Sequence, residues 1–277
     1  MERRRIEFPG AFYHVTQRGN NRENIFRKPG DKKYYLKKLS DLKDKFDFRL
    51  LGFVLMDNHY HLLLQAGKDP LHKIIFRQNM YYSRYFNRTH NRSGHLYGGR
   101  YKAALIQDDR YLFAVLRYIH WNPVRAGICR HPEEYKWSSE LFYRRNDSGF
   151  VDIDFILNII SANRKTALAG YIAQMKVEED TDFAKAKYIG DRDFIDEVDP
   201  NRNKKKKKRT ERKPLDDILW ETVIDENDFL LIKTGSRKRR LVPYKKEYIQ
   251  KAVEQGYSYH EIGQNIKLTA SAVGLYR

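Results

Sequence analysis

The stretch FVLMDNHYHLLLQ, residues 53–65, decides how the first half of this chain folds. It joins two apolar runs of strand length, which extend from Arg49 to Met56 and from Tyr60 to Gln65. The dipeptide Asp57-Asn58 separates the two runs, and both residue types favour turns. The pattern therefore predicts two neighbouring strands joined by a short connection.

The residues on either side of this stretch predict alternating strands and helices. The predicted elements are a strand at Ala11 to Gln17, a helix at Asp31 to Phe46, the two central strands, a helix from Pro70 to about Asn87, and a strand at Tyr101 to Gln107. A last helix follows, which Asp108-Asp109 caps and which runs to Asn122, where Pro123 ends it. This order predicts an α+β fold with a ferredoxin-like βαββαβ domain and an antiparallel sheet.

The remaining residues predict a helical second half that a charged run interrupts. Residues 151–189 look helical, and residues 201–214, NRNKKKKKRTERKP, hold nine Lys or Arg and one Glu. Such a run is either an arm that holds phosphates or a solvated linker. Residues 242–276 predict three helices that resemble a helix-turn-helix, with a plain helical cap as the alternative. The expected divisions are 1–145 for the βαββαβ domain, 146–200 for a helical extension, 201–214 for the linker, and 215–277 for a helix-turn-helix-like DNA-binding region.

The composition indicates a polyanionic partner. The 277 residues include 54 Lys or Arg and 36 Asp or Glu, which gives a formal net charge of +18. This excess of positive charge favours nucleic acid as the partner. The alternatives are an anionic membrane surface as the partner, or a soluble protein that simply has many surface lysines. The single cysteine, Cys129, excludes an intrachain disulfide and a cysteine zinc cluster. Because no run has the form of a secretory signal or the length of a membrane span, we expect a cytoplasmic protein with access to the chromosome.

Two pairs of polar residues could meet at one site. His59 and His61 share one face of a strand, because alternate side chains point the same way, so both imidazoles can converge on one metal ion. A His-x-His pair alone is equally compatible with two hydrogen-bonded histidines. Tyr118 and Asn122, four residues apart, share a face of the predicted helix. The asparagine oxygen could complete the shell of a metal ion, and the tyrosine hydroxyl would then lie beside it.

These features together resemble a known family. Five segments carry the resemblance in order: GAFYHVTQRGNNRENIF, MDNHYHLLLQ, YFNRTHNRSGHLYGGRYKA, YLFAVLRYIHWNPVRAG and YKWSS. They resemble the single-tyrosine HUH transposases, named for two histidines around a bulky residue, and more closely the REP-associated tyrosine transposases. The resemblance covers roughly residues 6–140.

The resemblance implies a site and a chemistry. It makes Tyr118 the nucleophile, His59 and His61 metal ligands, and Asn122 the third ligand. It implies Mg²⁺ or Mn²⁺, a 5′-phosphotyrosine intermediate, and a single-stranded or hairpin DNA partner that belongs to repetitive palindromes. Relatives include monomers and homodimers, so either state is compatible with it. One departure is Asp57, where relatives usually have Pro; it is expected to loosen the turn or to add a carboxylate near the metal.

Several basic or polar residues are candidates for contacts with DNA. Some lie in loops or at strand starts near the expected site, some in the lysine-rich run, and one at the start of the last helix. They are Arg18, Arg22, Arg92, Arg100, Lys102, Lys204, Lys206, Lys208 and Ser271.

Three other functions compete with DNA cleavage. A DNA-binding regulator with an inactive nuclease domain would use only the C-terminal helices, but all four expected active-site residues are present. A rolling-circle initiator or relaxase often carries a second nucleophilic tyrosine or a helicase domain, and the sequence has no P-loop pattern. An RNA-binding ferredoxin-like sheet predicts aromatic side chains where His59 and His61 stand.

Overall fold

The computed structural model describes residues 6–176, 181–200 and 212–276. The chain divides into two compact units, Met1–Val198 and Asp199–Arg277, which are described separately. Among the described residues, no helix combines the length and the apolar character that crossing a bilayer requires.

The first unit begins with the predicted alternation of strands and helices. Its elements are β1 (Phe12–Arg18), α1 (Pro29–Lys43), β2 (Phe48–Leu55), β3 (His59–Ala66), α2 (Leu71–Thr89), β4 (Lys102–Ile106), α3 (Asp109–Arg125), α4 (Glu140–Arg145), α5 (Ile153–Ile160), α6 (Arg164–Met175), β5 (Tyr188–Ile189) and α7 (Arg192–Val198). Short 3-10 turns lie at Asn20–Arg22, Pro132–Glu134 and Phe183–Lys185.

The strand order confirms the mixed α+β fold and extends it by one strand. The order is β2-β3-β1-β4-β5, and β1, β2, β3 and β4 pair in antiparallel fashion. The fifth strand, Tyr188–Ile189, pairs in parallel with β4. The four strands of the βαββαβ domain form the expected antiparallel sheet, whereas the expectation of helix throughout residues 151–189 is wrong at this strand. A two-residue strand is too short to show a period of its own, so only its pairing with β4 defines it.

The two faces of β3 contact different helices. The Tyr60 ring lies 5.0 Å from the Tyr35 ring of α1, and its hydroxyl donates to Oδ1 of Asn79 in α2. On the opposite face, the His61 ring lies 5.6 Å from the Tyr118 ring of α3. The sheet therefore separates α1 and α2 from the helix that carries Tyr118.

A glycine in β2 lets α3 approach the sheet closely. A Cβ atom built on Gly52 would lie 2.5 Å from the Leu116 side chain, which is closer than van der Waals contact allows. The antiparallel register between β2 and β3 shifts between Leu50 and Gly52. The close approach brings α3 against the strand pair.

Helix α3 begins at a side-chain cap and continues past its proline. The Asp108 carboxylate accepts from the backbone N–H of Arg110. The prediction that Pro123 ends the helix is wrong, because α3 runs to Arg125. Only the last turn follows the proline, so the loss of one N–H donor there disturbs little of the helix.

A buried polar cluster fixes the rotation of α3. His120 Nε2 lies 2.7 Å from Oγ of Ser139, and His120 Nδ1 lies 2.9 Å from Oε2 of Glu140. Ser139 Oγ is also bonded to the backbone of Phe53 in β2. Ser139, His120 and Glu140 contact one another in the same order as the serine, histidine and acid of a hydrolase triad. Each side chain is fully buried, however, so no substrate could reach them. We therefore assign the cluster a structural role.

The second unit is helical. Its helices are α8 (Leu215–Trp220), α9 (Glu226–Lys233), α10 (Val242–Glu254), α11 (Tyr259–Asn265) and α12 (Ala270–Gly274), with a 3-10 turn at Arg239–Leu241. Ser258 and Glu261 form a capping box at the start of α11, and the Thr269 hydroxyl caps α12. A Cβ atom on Gly263 would lie 2.4 Å from the Leu268 carbonyl oxygen, so only glycine allows this tight turn between α11 and α12.

Candidate active site

The structure brings the four expected active-site residues to one face of the sheet. The His61 ring lies 5.1 Å from the His59 ring and 5.6 Å from the Tyr118 ring. The Asn122 side chain lies beside the imidazole of His59, whose pKa it raises, and beside the phenol of Tyr118, whose pKa it lowers. Side chains of β3 and α3, far apart in the sequence, thus form a single cluster.

A third histidine joins this cluster. Nε2 of His14, on β1, lies 2.8 Å from Nδ1 of His61, and the two rings stack with centroids 5.1 Å apart. The register sets Thr16 opposite His61, so His14 reaches His61 along the diagonal between paired strands. Like His61, His14 is almost fully buried.

The hydrogen bonds of the two expected ligands leave one nitrogen of each ring available. Nδ1 of His59 lies 2.6 Å from Oδ1 of Asn58, an acceptor, so Nδ1 carries the proton and Nε2 keeps its lone pair. When Nδ1 of His61 donates its proton to Nε2 of His14, Nε2 of His61 also keeps its lone pair. Metal-binding histidines usually donate their second ring N–H to a partner in this way.

Burial keeps these imidazoles neutral. Burial, together with the charge of Arg18, lowers the pKa of His59 to about 4, and the neighbouring Asn122 side chain opposes this shift. Burial lowers the pKa of His14 to about 4 as well. The pKa of His61 is lowered well below its ordinary value by burial and by the neighbouring His14 and His59. A neutral imidazole is the form that binds a metal ion.

These atoms fit a divalent cation through two nitrogens and one oxygen. The Asn122 Nδ2 group donates to the Tyr118 carbonyl at 2.8 Å, which leaves Oδ1 as the ligand atom. In the part of the chain that the structure describes, no three His, Cys, Asp or Glu side chains gather in a way that could hold a metal. A set of three ligands at this site would need the Asn122 amide oxygen beside the two histidines.

The phenol of Tyr118 has neighbours from the extension that follows the βαββαβ domain. Its hydroxyl donates to Oδ1 of Asp182 at 3.2 Å, and the Phe183 ring packs edge-on against it, with centroids 5.5 Å apart. Tyr118 is only 6% exposed. Burial and Asp182 raise the pKa of Tyr118 to about 12, whereas Arg125, 5.0 Å from the ring centroid, lowers it.

We predict that Asp182→Asn speeds formation of a covalent adduct at Tyr118 severalfold. Asparagine keeps an acceptor for the Tyr118 hydroxyl and for the Ala184 N–H, which both bond to Asp182 Oδ1, but it removes the charge. Asp182 raises the pKa of Tyr118, so its loss lowers that pKa and favours the phenolate. Adduct formation should be timed at fixed pH, with Asp193→Asn as the control. Slower formation in Asp182→Asn would contradict this electrostatic effect and identify Asp182 as a group that the reaction requires.

Three of the basic candidates lie close to the cluster. Arg18 pairs with His59 across β1 and β3, and its charge lowers the pKa of both His59 and His61. Lys102 is exposed at the start of β4, and Arg100 precedes it at the end of the glycine-rich loop. That loop is attached to β1, because Gly98 N–H donates to the Arg18 carbonyl at 3.2 Å.

The other candidates have different surroundings. Arg92 forms an ion pair with Glu23 at 3.0 Å and lies over the Phe86 ring, so its guanidinium has a structural partner. Arg22 is exposed in a turn with a φ of 62°. Ser271 is exposed in the first turn of α12. The candidates Lys204, Lys206 and Lys208 fall outside the described residues, as does most of the 201–214 run.

Asp57 holds the turn between β2 and β3. Its Oδ1 accepts from Nζ of Lys32 at 2.7 Å, and its backbone carbonyl accepts from the N–H groups of Ile25 and Phe26. These contacts tie the turn to α1 and to the loop before it. The Asp57 carboxylate forms an ion pair with a lysine of α1, which is itself buried.

Sequence reasoning missed three residues of the site. His14 could have been found, because a histidine at an inward position of the apolar strand β1 is unusual and needs a partner. Asp182 and Arg125 carried no such signal. Asp182 reaches Tyr118 only because the chain returns to pair β5 with β4, and Arg125 lies beyond the point where the helix was expected to end.

Comparison with known proteins finds two matches to the part of the chain that holds this cluster. A solved structure described as "Structure of the REP associates tyrosine transposase bound to a REP hairpin" is similar over 56% of this chain and 90% of its own, at 19% identity and a TM-score of 0.44. No curated protein matches the chain. Residues 8–122 match the family model "Transposase IS200 like", and this segment contains all four expected active-site residues. This segment, residues 8–122, is therefore similar to the IS200-like transposases.

Proposed function

We propose that this protein cuts and rejoins single-stranded DNA, with Tyr118 as the nucleophile and His59, His61 and Asn122 as ligands of one divalent cation. The match of residues 8–122 to the family model "Transposase IS200 like" supports a role in DNA processing. The observation that carries the finer proposal is the contact between the Tyr118 ring and the His61 ring, at 5.6 Å, beside Asn122. A nucleophile and a metal site must be neighbours for both to act on one phosphate.

The reaction that these residues support is a transfer of the phosphodiester to tyrosine. The Tyr118 oxygen forms a bond to phosphorus, the bond from phosphorus to the 3′ oxygen breaks, and the phenol proton is lost as the 3′ oxygen gains one. The products are a 5′-phosphotyrosine and a free 3′-OH, which can later reverse the reaction. When bound, Mg²⁺ or Mn²⁺ polarises the scissile phosphate and neutralises its charge.

The residues around the phenol hold Tyr118 in position but do not favour its ionised form. The Asn122 side chain lowers the pKa of Tyr118, but burial and Asp182 keep that pKa above its ordinary value. Arg125 and Arg18 place positive charge beside Tyr118 and His59, where a phosphate has to approach. Arg18, Arg22, Arg100 and Lys102 are proposed phosphate contacts.

The proposed substrate is a single strand or a hairpin with single-stranded flanks. A phenol that is 6% exposed can be reached by a flexible strand more readily than by the backbone of a rigid duplex. The five sequence segments that resemble the REP-associated enzymes favour repetitive palindromes as the source of such hairpins. We propose that the enzyme acts on chromosomal DNA in the cytoplasm, at the nucleoid, as a monomer or homodimer.

The second unit is proposed to bind DNA through a helix-turn-helix formed by α11 and α12. Both helices are short, each begins at a side-chain cap, and Gly263 permits the tight turn between them. Lys267 in that turn has a φ of 53°, the left-handed conformation that such a connection requires. Ser271, exposed in the first turn of α12, is the proposed contact. The proposed divisions remain 1–145, 146–200, 201–214 and 215–277.

A labelled-strand assay tests the proposed chemistry. The full chain is incubated with hairpin DNA labelled at either end, with Mn²⁺, Mg²⁺ or a chelator, and is then resolved under denaturing conditions. We expect a metal-dependent covalent adduct that carries the 3′ label and not the 5′ label, because the 5′-phosphate stays on the tyrosine. Binding without any adduct would support a DNA-binding regulator instead. An adduct with the 5′ label would contradict the polarity.

A further inference from the structure

His14 lies between a proposed metal ligand and the proposed nucleophile. Its side chain, on β1, is 1% exposed, and its ring meets the Tyr118 ring edge-on at a centroid distance of 5.7 Å. Its Nε2 lies 2.8 Å from Nδ1 of His61. In the ranges that the structure describes, no three His, Cys, Asp or Glu side chains could hold a metal together, so His14 does not complete a site of three histidines. It contacts His61 from behind the cation site.

The contact between the two imidazoles is well aligned for a hydrogen bond. The ring planes differ by 12°, and the ring centroids are 5.1 Å apart. That separation is about as large as a distance of 2.8 Å between ring nitrogens allows, so both nitrogens lie close to the line that joins the ring centres. The proton or lone pair of a ring nitrogen points outward along this line, which gives a nearly linear hydrogen bond.

Only one of these two nitrogens carries a proton. Burial lowers the pKa of both histidines, so each ring is neutral and has one N–H and one bare nitrogen. If Nδ1 of His61 donates, Nε2 of His61 keeps the lone pair that a cation needs. If His14 donates instead, the proton of His61 stands on Nε2 and blocks that position. The part that His14 takes in this bond therefore decides whether His61 can bind a metal.

No other side chain fixes the position of the His61 proton. Within the described part of the chain, His14 is the one hydrogen-bond partner of the His61 ring. His59 differs, because its Nδ1 faces the amide oxygen of Asn58, which can only accept. His61 instead faces a second imidazole, whose nitrogen can either accept or donate.

The surroundings of Nδ1 of His14 favour the first arrangement. This nitrogen is buried, and among the described residues no group bonds to it with ordinary geometry. Burial lowers the pKa of the His14 ring, and the Phe183 backbone opposes this shift, as a nearby acceptor does. Because Nε2 of His14 faces His61, this acceptor favours a proton on Nδ1. A proton on Nδ1 leaves Nε2 of His14 as the acceptor for His61.

We propose that His14 is a positioning residue for His61: its Nε2 accepts the Nδ1 proton of His61 and so keeps Nε2 of His61 available to the divalent cation. This inference rests on the proposed function in taking His61 as a ligand of that cation. It gives each histidine ligand a partner for its second ring nitrogen, Asn58 for His59 and His14 for His61.

The test compares three variants of the full chain with the wild type. His14→Phe keeps the ring that contacts Tyr118 but has no acceptor, whereas His14→Gln supplies an amide oxygen in place of Nε2. His90→Phe is the matched control, because His90 is a largely buried histidine that bonds to Asp31 and lies outside the cluster. Mn²⁺ affinity is measured by electron paramagnetic resonance without DNA. The proton of His61 is located by NMR of labelled histidine nitrogens in the metal-free protein, and thermal unfolding checks that each variant is folded.

We expect His61 of the wild type to carry its proton on Nδ1. In His14→Phe, Mn²⁺ affinity should fall about ten- to hundredfold, since partners behind a metal-binding histidine have effects of that size. The proton of His61 should then divide between Nδ1 and Nε2. His14→Gln should recover most of the Mn²⁺ affinity, and His90→Phe should bind Mn²⁺ as the wild type does. A residue that only fills space would leave the proton of His61 where it is.

Two results overturn the proposal: a proton on Nε2 of His61 in the metal-free wild type, which makes His14 the donor, or wild-type Mn²⁺ affinity in a folded His14→Phe variant. If His14→Phe does not fold, the proton position in the wild type and in His14→Gln decides the role of His14. Failure of the proposed function is a different outcome, because the wild type itself would then neither bind Mn²⁺ nor form a covalent adduct with hairpin DNA.

Discussion

Replacing Tyr118 with phenylalanine is expected to abolish the covalent protein–DNA adduct while DNA affinity changes by less than about twofold. The substitution removes a single oxygen, the atom that would bond to phosphorus, and keeps the ring that packs against His14, His61 and Phe183. A loss of at least a thousandfold corresponds to about 4 kcal/mol of lost transition-state stabilisation. Adduct yield is measured on denaturing gels, and affinity by anisotropy on the same hairpin.

Tyr111→Phe is the matched control for this substitution. Tyr111 lies two turns earlier on the same helix, is half-buried, and like Tyr118 has an arginine close to its ring. Its hydroxyl should be dispensable, and the variant should form adduct at the rate of the wild type. Persistence of the adduct in Tyr118→Phe would show that another group attacks the phosphate, and the assignment of Tyr118 would be lost.

Replacing His59 with alanine should have the second largest effect, a loss of about a hundredfold or more in adduct formation at low Mn²⁺. His59 is the better position to test than His61, because it is half-buried, whereas His61 is 2% exposed and bonded to His14. Loss of one ligand weakens metal binding, so raising the Mn²⁺ concentration should restore part of the activity. Mn²⁺ binding is measured independently by electron paramagnetic resonance.

His131→Ala controls for the loss of a histidine as such. His131 is exposed before a 3-10 turn, outside the cluster, and its removal should leave the Mn²⁺ dependence unchanged. If His59→Ala and the wild type require the same Mn²⁺ concentration, His59 is not a ligand. A chelator that leaves adduct formation intact in the wild type would reject the metal altogether.

Much of the first unit could be predicted from local patterns. The period of two in strands placed His59 and His61 on one face, and the spacing of four residues placed Tyr118 and Asn122 on one face of α3. Local patterns alone do not show that the face of β3 and the face of α3 meet. That follows from the strand order, which sets β3 between β2 and β1 inside the sheet, and from Gly52 of β2, which admits α3 close to the sheet.

The features that could not be predicted depend on distant contacts. Asp182 is 64 residues from Tyr118, and no local pattern relates an acidic loop residue to a tyrosine on a helix. Pro123 was expected to end α3, because the local rule on the residue before proline ignores the packing of the following turn. Strand β5 has no periodicity of its own and exists through hydrogen bonds to β4.

Strand β5 also has a consequence for shortened versions of this protein. It covers the outer edge of β4, where the N–H groups of Leu105 and Gln107 donate to the carbonyls of Lys187 and Ile189. A version that stopped near residue 145 would retain the family-matched segment but would leave those donors without a strand to pair with. Uncovered sheet edges recruit one another, so such a fragment is expected to self-associate. A dimer seen with that fragment would then reflect the exposed edge of β4 and not the natural assembly of the whole protein.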